Sequence, residues 1–246
     1  MLEKLSSQKD FQSSSNLEPG DEIMNDSDNY LLAAKQPDIF RLMGVLPLNN
    51  VDVSSVHRFM ERVITHGEKA LVLNLNVHAA TLALELDWFR NFLNQGQMVF
   101  CDGDGIRLAC KILKMPVPVK ITYDRWMWEL ASFCEQKGYS LYFLGSKPGV
   151  SDRAAKKLQE HYPKLKFAGC YHGYFEKSGS ENEKIIREIN AVKPDILIVG
   201  FGMPLQEKWL QENWKRLNVH IFLNGGAAFE CVSGELKSPP RWILQL

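Results

Sequence analysis

The chain has 246 residues, 45% of them apolar, which is enough for one sizeable hydrophobic core. Its 29 basic and 29 acidic side chains cancel, which argues against a broad nucleic-acid footprint and predicts weak attachment to anionic vesicles. Five cysteines (Cys101, Cys110, Cys134, Cys170 and Cys231) make an odd count with no CxxC pair. They disfavour a disulfide framework or a structural zinc site, and reduced thiols in a cytoplasmic protein are expected.

Residues 1–29 are rich in Ser, Asn, Asp and Glu and poor in apolar side chains. Such a segment cannot bury enough surface to offset its ordering entropy, so a disordered tail is expected, followed by one domain over 30–246. The tail lacks a basic start followed by an apolar run, and no stretch approaches about 18 consecutive apolar residues. Any membrane contact is therefore expected to be peripheral, at the inner face of the cell membrane. Short apolar runs at 70–76, 98–101, 140–144, 166–170, 195–199 and 219–223 predict strands covered on both faces. Between them, apolar spacings of three and four predict helices at 53–66, 78–94, 106–113, 125–138, 151–161, 180–192 and 206–217. The alternation predicts an α/β fold, a mostly parallel sheet with helices on both faces.

In such a sheet ligands bind beyond the carboxyl ends of the strands, so the strand exits carry the functional candidates. The first exit has Asn74 and Asn76, whose spacing puts both side chains on one side, where they can serve a sugar or phosphate or simply cap a helix. The second reads Cys101-Asp102-Gly103-Asp104-Gly105. One of the two aspartates is expected to cap the following helix; one can also act as general base, or the pair can hold a metal as a D-x-D motif. The third exit, Gly145-Ser146-Lys147-Pro148-Gly149, can cradle an anion at a helix start. It matches neither G-x-x-x-x-G-K-[ST] nor G-x-G-x-x-G, which removes support for a nicotinamide oxidoreductase. Tyr174 and Phe175 after the fourth run can stack on a base or fill the core. After the fifth, Glu207 suits the first turn of a helix by its charge, which leaves Gln206 as the less explained residue. After the sixth, Asn224-Gly225-Gly226-Ala227-Ala228 allows close approach, and Glu230 can accept from ribose hydroxyls. Together the six exits suit a polar, nucleotide-sized ligand.

The strings DGDGIRLACKIL, FLGSKPGV, YPKLKFAGCYHGYF, PDILIVGFGMPLQEKWL and NGGAAFECVSGELKSPPRW, in this order and spacing, resemble the WecG/TagA/CpsF glycosyltransferase family over about residues 45–242. The resemblance implies a Rossmann-like domain and an inverting transferase. It would move a hexose or N-acetylhexosamine from a UDP-sugar to a polyprenyl-diphosphate-linked sugar in cell-surface polysaccharide synthesis. It implies Asp102 as general base, and Asn76, Thr122, Tyr174 (on uracil), Gln206 (near phosphates and sugar) and Glu230 (toward ribose) as substrate contacts. Asn74 stands where the family commonly has Thr, Lys120 where it has Arg, Leu205 at the Lys of PKQE, and Lys237-Ser238-Pro239-Pro240 for Lys-Arg-Ala-Pro. Lys120 keeps the charge for a diphosphate but loses the two-pronged guanidinium. Asn74 and Gly145 complete the expected substrate contacts. The Trp-rich segment 123–128 tilts the donor toward a glucosyl-type or other hexose.

The resemblance further implies metal-independent transfer, with no cofactor and no nucleic-acid partner, and a homo-oligomer is compatible with it. Family members continue past the equivalent of Leu246 with a basic, aromatic-rich appendage, so this chain is expected to lack it. The alternatives are a metal-dependent D-x-D transferase and an inactive nucleotide-sugar-binding module.

Overall fold

The computed structural model describes residues 39–236, so the expected tail over 1–29 and the segment 237–246 lie outside the described residues. Six strands form one parallel sheet: β3 (Ala70–Leu75), β4 (Met98–Cys101), β5 (Ser140–Gly145), β6 (Lys166–Tyr171), β7 (Ile196–Gly200) and β8 (Ile221–Asn224). These are the six apolar runs of the sequence, each shifted by two residues at most. The spatial order is β4-β3-β8-β7-β5-β6. The chain runs outward from β3 to β4, crosses to β5, runs outward again to β6, and returns through β7. β8 enters last, between β3 and β7. A strand inserted between two halves creates a crevice at its carboxyl end, where ligands of open α/β sheets sit.

Strand residues alternate between two cores, because successive side chains point to opposite faces. Val72, Phe100, Phe143, Ile198 and Leu223 pack against α1 (Val53–Thr65), α5 (Tyr123–Lys137), α6 (Val150–His161) and α9 (Ala228–Ser233). Leu73, Val99, Leu144, Val199 and Phe222 pack against α2 (Val77–Glu85), α3 (Asp87–Leu93), α4 (Asp104–Ile112), α7 (Gly179–Val192) and α8 (Leu205–Asn213). The expected α/β architecture, helices on both faces of one parallel sheet, is what forms.

Two local expectations need correction, and one element was not expected. The helix expected over 78–94 is two helices, α2 and α3, broken at Leu86, whose φ and ψ of −118° and 107° are extended. The break turns Phe89, Phe92 and Leu93 into the core, and Arg90 donates to the carbonyl of Ala83 at 3.1 Å. The helix expected over 206–217 ends at Asn213 and tightens into a 3₁₀ turn, Trp214–Arg216. A hairpin of β1 (Ile39–Leu42) and β2 (Leu46–Asn49), not expected from the sequence, precedes the sheet. Met43, Gly44 and Val45 join the two strands; Met43 and Gly44 both have positive φ, and Val45 N donates to the carbonyl of Leu42 at 3.3 Å. Asn49 then accepts from the backbone N–H of Val99 at 2.7 Å, tying the hairpin to β4.

Candidate active site

Two clefts open at the carboxyl ends of the strands. The first, of about 660 Å³, is lined by Asn74, Asn76, Asp102, Lys120, Thr122 and Arg125, among others. The second, of about 840 Å³, is lined by Ser146, Lys147, Tyr174, Lys177 and Glu230, among others. Gly226 and Ala227 line both, so the turn after β8 is the wall they share.

Asp102 follows β4 directly. Burial pushes its carboxyl up from the ordinary 3.8 to about 6, and hydrogen bonds from Asn74 and Asn76 partly offset that. Neither aspartate of the D-G-D run caps α4, contrary to the expectation from sequence. The N-cap position is Gly103, with no side-chain cap bond. Asp102 accepts from Asn74 Nδ2 at 2.8 Å. Asp104 is exposed and meets Lys120 and Arg107, the latter at 3.1 Å. Lys120, expected to face a diphosphate, therefore lines the first cleft with its ammonium paired to Asp104. Thr122 lines the same cleft at the N-cap of α5. Asn76 caps α2, its Oδ1 accepting from Ala79 N at 2.9 Å, while still lining the first cleft.

Asn74, expected as a substrate contact, lines the first cleft. It is buried, and its amide is committed to the protein: Nδ2 donates to Asp102, and Oδ1 accepts from Asn224 Nδ2 at 2.9 Å. The amide therefore holds the Asp102 carboxyl in place. Asn224 also donates to Glu207 Oε1 at 2.9 Å and accepts from Asn74 N at 3.0 Å. Glu207 Oε1 accepts from Gln206 Nε2 at 2.7 Å, and Gln206 Oε1 accepts from Gly202 N and Gly226 N at 3.2 and 3.0 Å. A continuous buried chain of hydrogen bonds thus runs from Asp102 to the turn shared by the two clefts.

Gln206 was expected near the phosphates and sugar. It is fully buried, lines neither cleft, and its amide holds two loop backbones together, so it shapes the walls from behind. Gly145 was also expected among the substrate contacts. A Cβ there would meet Gly200 O at 2.2 Å, so its lack of a side chain serves the close approach of β5 to β7. It lines neither cleft.

Tyr174 is 66% exposed at the second cleft, whereas Phe175 is core. Glu230 accepts from Ser146 Oγ at 2.7 Å through Oε1, while its buried Oε2 has no partner among the described residues. A buried carboxylate oxygen at a cleft wall without a donor is a natural place for a ligand hydroxyl.

The sequence placed Ser146 and Asn224 only as members of strand-exit loops and Glu207 only as a helix-start charge, and it did not single out Tyr123 or Arg125. Glu207 is fully buried, and burial pushes its carboxyl up to about 6, offset in part by hydrogen bonds from Asn224 and Gln206. Tyr123 is buried, with a phenol oxygen that has no hydrogen-bond partner among the described residues. Its pKa is raised first by burial and then by the charges of Asp102 and Glu207. The available signal was the Asn that closes β8 in an otherwise apolar strand, since a polar residue there needs a partner in the sheet.

Comparison with known proteins adds the following. The model of the Glycosyl transferase WecG/TagA/CpsF family matches residues 40–246. A protein of Staphylococcus aureus (strain MRSA252) named N-acetylglucosaminyldiphosphoundecaprenol N-acetyl-beta-D-mannosaminyltransferase is 27% identical over 169 residues, which is 69% of this chain and 65% of that protein. Proteins of the same name from the NCTC 8325 / PS 47 and COL strains of Staphylococcus aureus show the same identity and coverage. The chain thus spans 65% of the length of these relatives.

Proposed function

The chain belongs to the WecG/TagA/CpsF family of glycosyl transferases, and on that premise we propose that it transfers an N-acetylhexosamine from a UDP-sugar to a polyprenyl-diphosphate-linked sugar, with inversion. The observation that carries this reading is Asp102: a carboxylate on the wall of a cleft of about 660 Å³, oriented by Asn74 and raised to about 6. A base poised near the working pH is suited to take a proton from a hydroxyl as that oxygen attacks. Asp102 takes the proton of the acceptor hydroxyl. The acceptor oxygen bonds to the anomeric carbon from the face opposite the leaving group. The bond from that carbon to the diphosphate oxygen breaks, and UDP departs with the electron pair.

The two clefts divide the labour. The first takes the reacting sugars, with Asn76 and Thr122 on its wall and Lys120 and Arg125 supplying cations for the diphosphate. The second takes the nucleoside, with uracil on the exposed ring of Tyr174 and a ribose hydroxyl donating to Glu230 Oε2. Donor class and acceptor rest on the relatives, whose names specify N-acetyl-mannosaminyl transfer to a diphosphoundecaprenol-linked N-acetylglucosamine. They favour an N-acetylhexosamine over the glucosyl-type donor suggested by the Trp-rich segment. Transfer without a divalent ion is part of the proposal, supported by the engagement of Asp104 with Lys120 and Arg107.

The test is a panel of UDP-hexoses and UDP-N-acetylhexosamines assayed with a short-chain polyprenyl-diphosphate-sugar acceptor. Turnover with an N-acetylhexosamine donor is expected. UDP binding without turnover on any donor would make the protein a nucleotide-sugar-binding module instead.

A further inference from the structure

α4 faces two ways. Ile106 and Cys110 are buried, while Leu108 and Ile112, four residues apart and therefore on one side of the helix, are 58% and 71% exposed. The exposed apolar surface continues through Leu113 into Val117 and Val119. Arg107 Nε donates to the carbonyl of Pro118 at 3.2 Å, which lays that following segment against the helix. Val77, also exposed, adjoins the start of α4: a Cβ on Gly105 would meet Val77 Cγ2 at 2.3 Å. This surface ends at the first cleft, whose wall includes Asn76 on one side and Lys120 and Ile121 on the other.

The charge pattern says what covers it. Residues 105–123 carry Arg107, Lys111, Lys114 and Lys120 and not one Asp or Glu, in a chain whose 29 basic and 29 acidic side chains balance overall. Arg107 and Lys120 are taken up by Asp104. Lys111 and Lys114 are exposed among the apolar residues and have no ion pair among the described residues. A second copy would bring two like-charged faces together, whereas an anionic bilayer accepts both features. Apolar side chains enter the headgroup boundary, and lysine stems extend toward the phosphates.

We infer that the face formed by α4 and residues 113–119 is the contact with an anionic lipid bilayer, seating the mouth of the Asp102 cleft at the membrane surface. The inference rests on the proposed lipid-linked acceptor, whose reacting head group would emerge from that surface. It replaces the weak vesicle binding expected from the chain-wide charge balance, because a balanced total conceals an acid-free segment.

Flotation of the full chain with phosphatidylcholine vesicles, with and without phosphatidylglycerol, tests it. Binding is expected with phosphatidylglycerol only. Lys111→Glu/Lys114→Glu should weaken it about 20-fold or more, from about fivefold for each lysine charge removed. Leu108→Ser/Ile112→Ser should abolish flotation even though every lysine remains. Both variants should keep wild-type UDP affinity and wild-type turnover on a water-soluble short-chain acceptor. Absence of wild-type flotation, or equal flotation by the variants, overturns the inference while leaving the transferase reading standing. So does a dimer that Leu108→Ser/Ile112→Ser splits without any vesicle binding. Patch-dependent flotation with no turnover on any acceptor would instead overturn the transferase reading and leave the membrane face in place.

Discussion

Replacing Asp102 by Asn should make the protein slower and more stable at once. Burial raises the Asp102 carboxyl from 3.8 to about 6. At 1.36 kcal/mol per pH unit, holding it ionised costs the folded state about 3 kcal/mol. That cost is fully present above pH 6 and disappears as the pH falls from about 6 toward 4, where the folded protein binds a proton that the unfolded chain does not. The amide in Asp102→Asn carries no charge, and its oxygen can still accept from Asn74 Nδ2, now at 2.8 Å from the carboxylate. Urea unfolding at pH 7.5 should therefore show a gain of about 1–3 kcal/mol that vanishes near pH 4. Turnover should fall by about 10²–10⁴-fold, the usual contribution of a general base, with UDP affinity by calorimetry unchanged. The wild-type kcat/KM should rise about tenfold per pH unit below pH 6 and level off above it. That limb should disappear in Asp102→Asn. It should persist in Glu207→Gln, which removes the other buried carboxyl raised to about 6. Near-normal turnover in folded Asp102→Asn would refute the base role, and a loss of stability at pH 7.5 would refute the electrostatic argument.

Other outcomes follow from the same geometry. Asn224→Ala leaves the backbone N–H and side-chain oxygen of Asn74 buried without their partner; at about 1–3 kcal/mol each, it should cost about 2–6 kcal/mol in urea unfolding, and a loss under about 1 kcal/mol would show the network to be slack. Tyr174→Ala should weaken UDP binding by about 1–3 kcal/mol in calorimetry, with Tyr174→Phe nearly neutral. Because that ring is 66% exposed, the melting temperature should hold, and unchanged UDP affinity would remove the ring from the site. Turnover should survive excess EDTA. Complete loss, restored by Mn²⁺ and abolished by Asp104→Ala, would make the Asp102-Gly103-Asp104 run a metal site.

The architecture was legible in the sequence because it depends on local pattern. Runs such as Met98–Cys101 and Ile196–Gly200 are short, apolar and buried on both faces, and helical spacings separate them. The polar strand exits were legible for the same reason, so Asp102, Asn76, Thr122, Tyr174 and Glu230 all line a cleft. What spacing cannot report is which strands become neighbours. Only the insertion of β8 between β3 and β7 sets Asn224 against Asn74, 150 residues away, and against Glu207. A buried polar side chain must find a partner, and that partner is chosen by the sheet order. The order decided that Asn74 orients Asp102, that Gln206 braces two loops out of sight of both clefts, and that Gly145 serves backbone packing. It also decided that the expected ligand set divides across two clefts sharing the turn at Gly226. The run of residues 105–123 without Asp or Glu was present in the letters from the start, but only packing shows that Ile106 and Cys110 turn inward and leave Leu108 and Ile112 facing out.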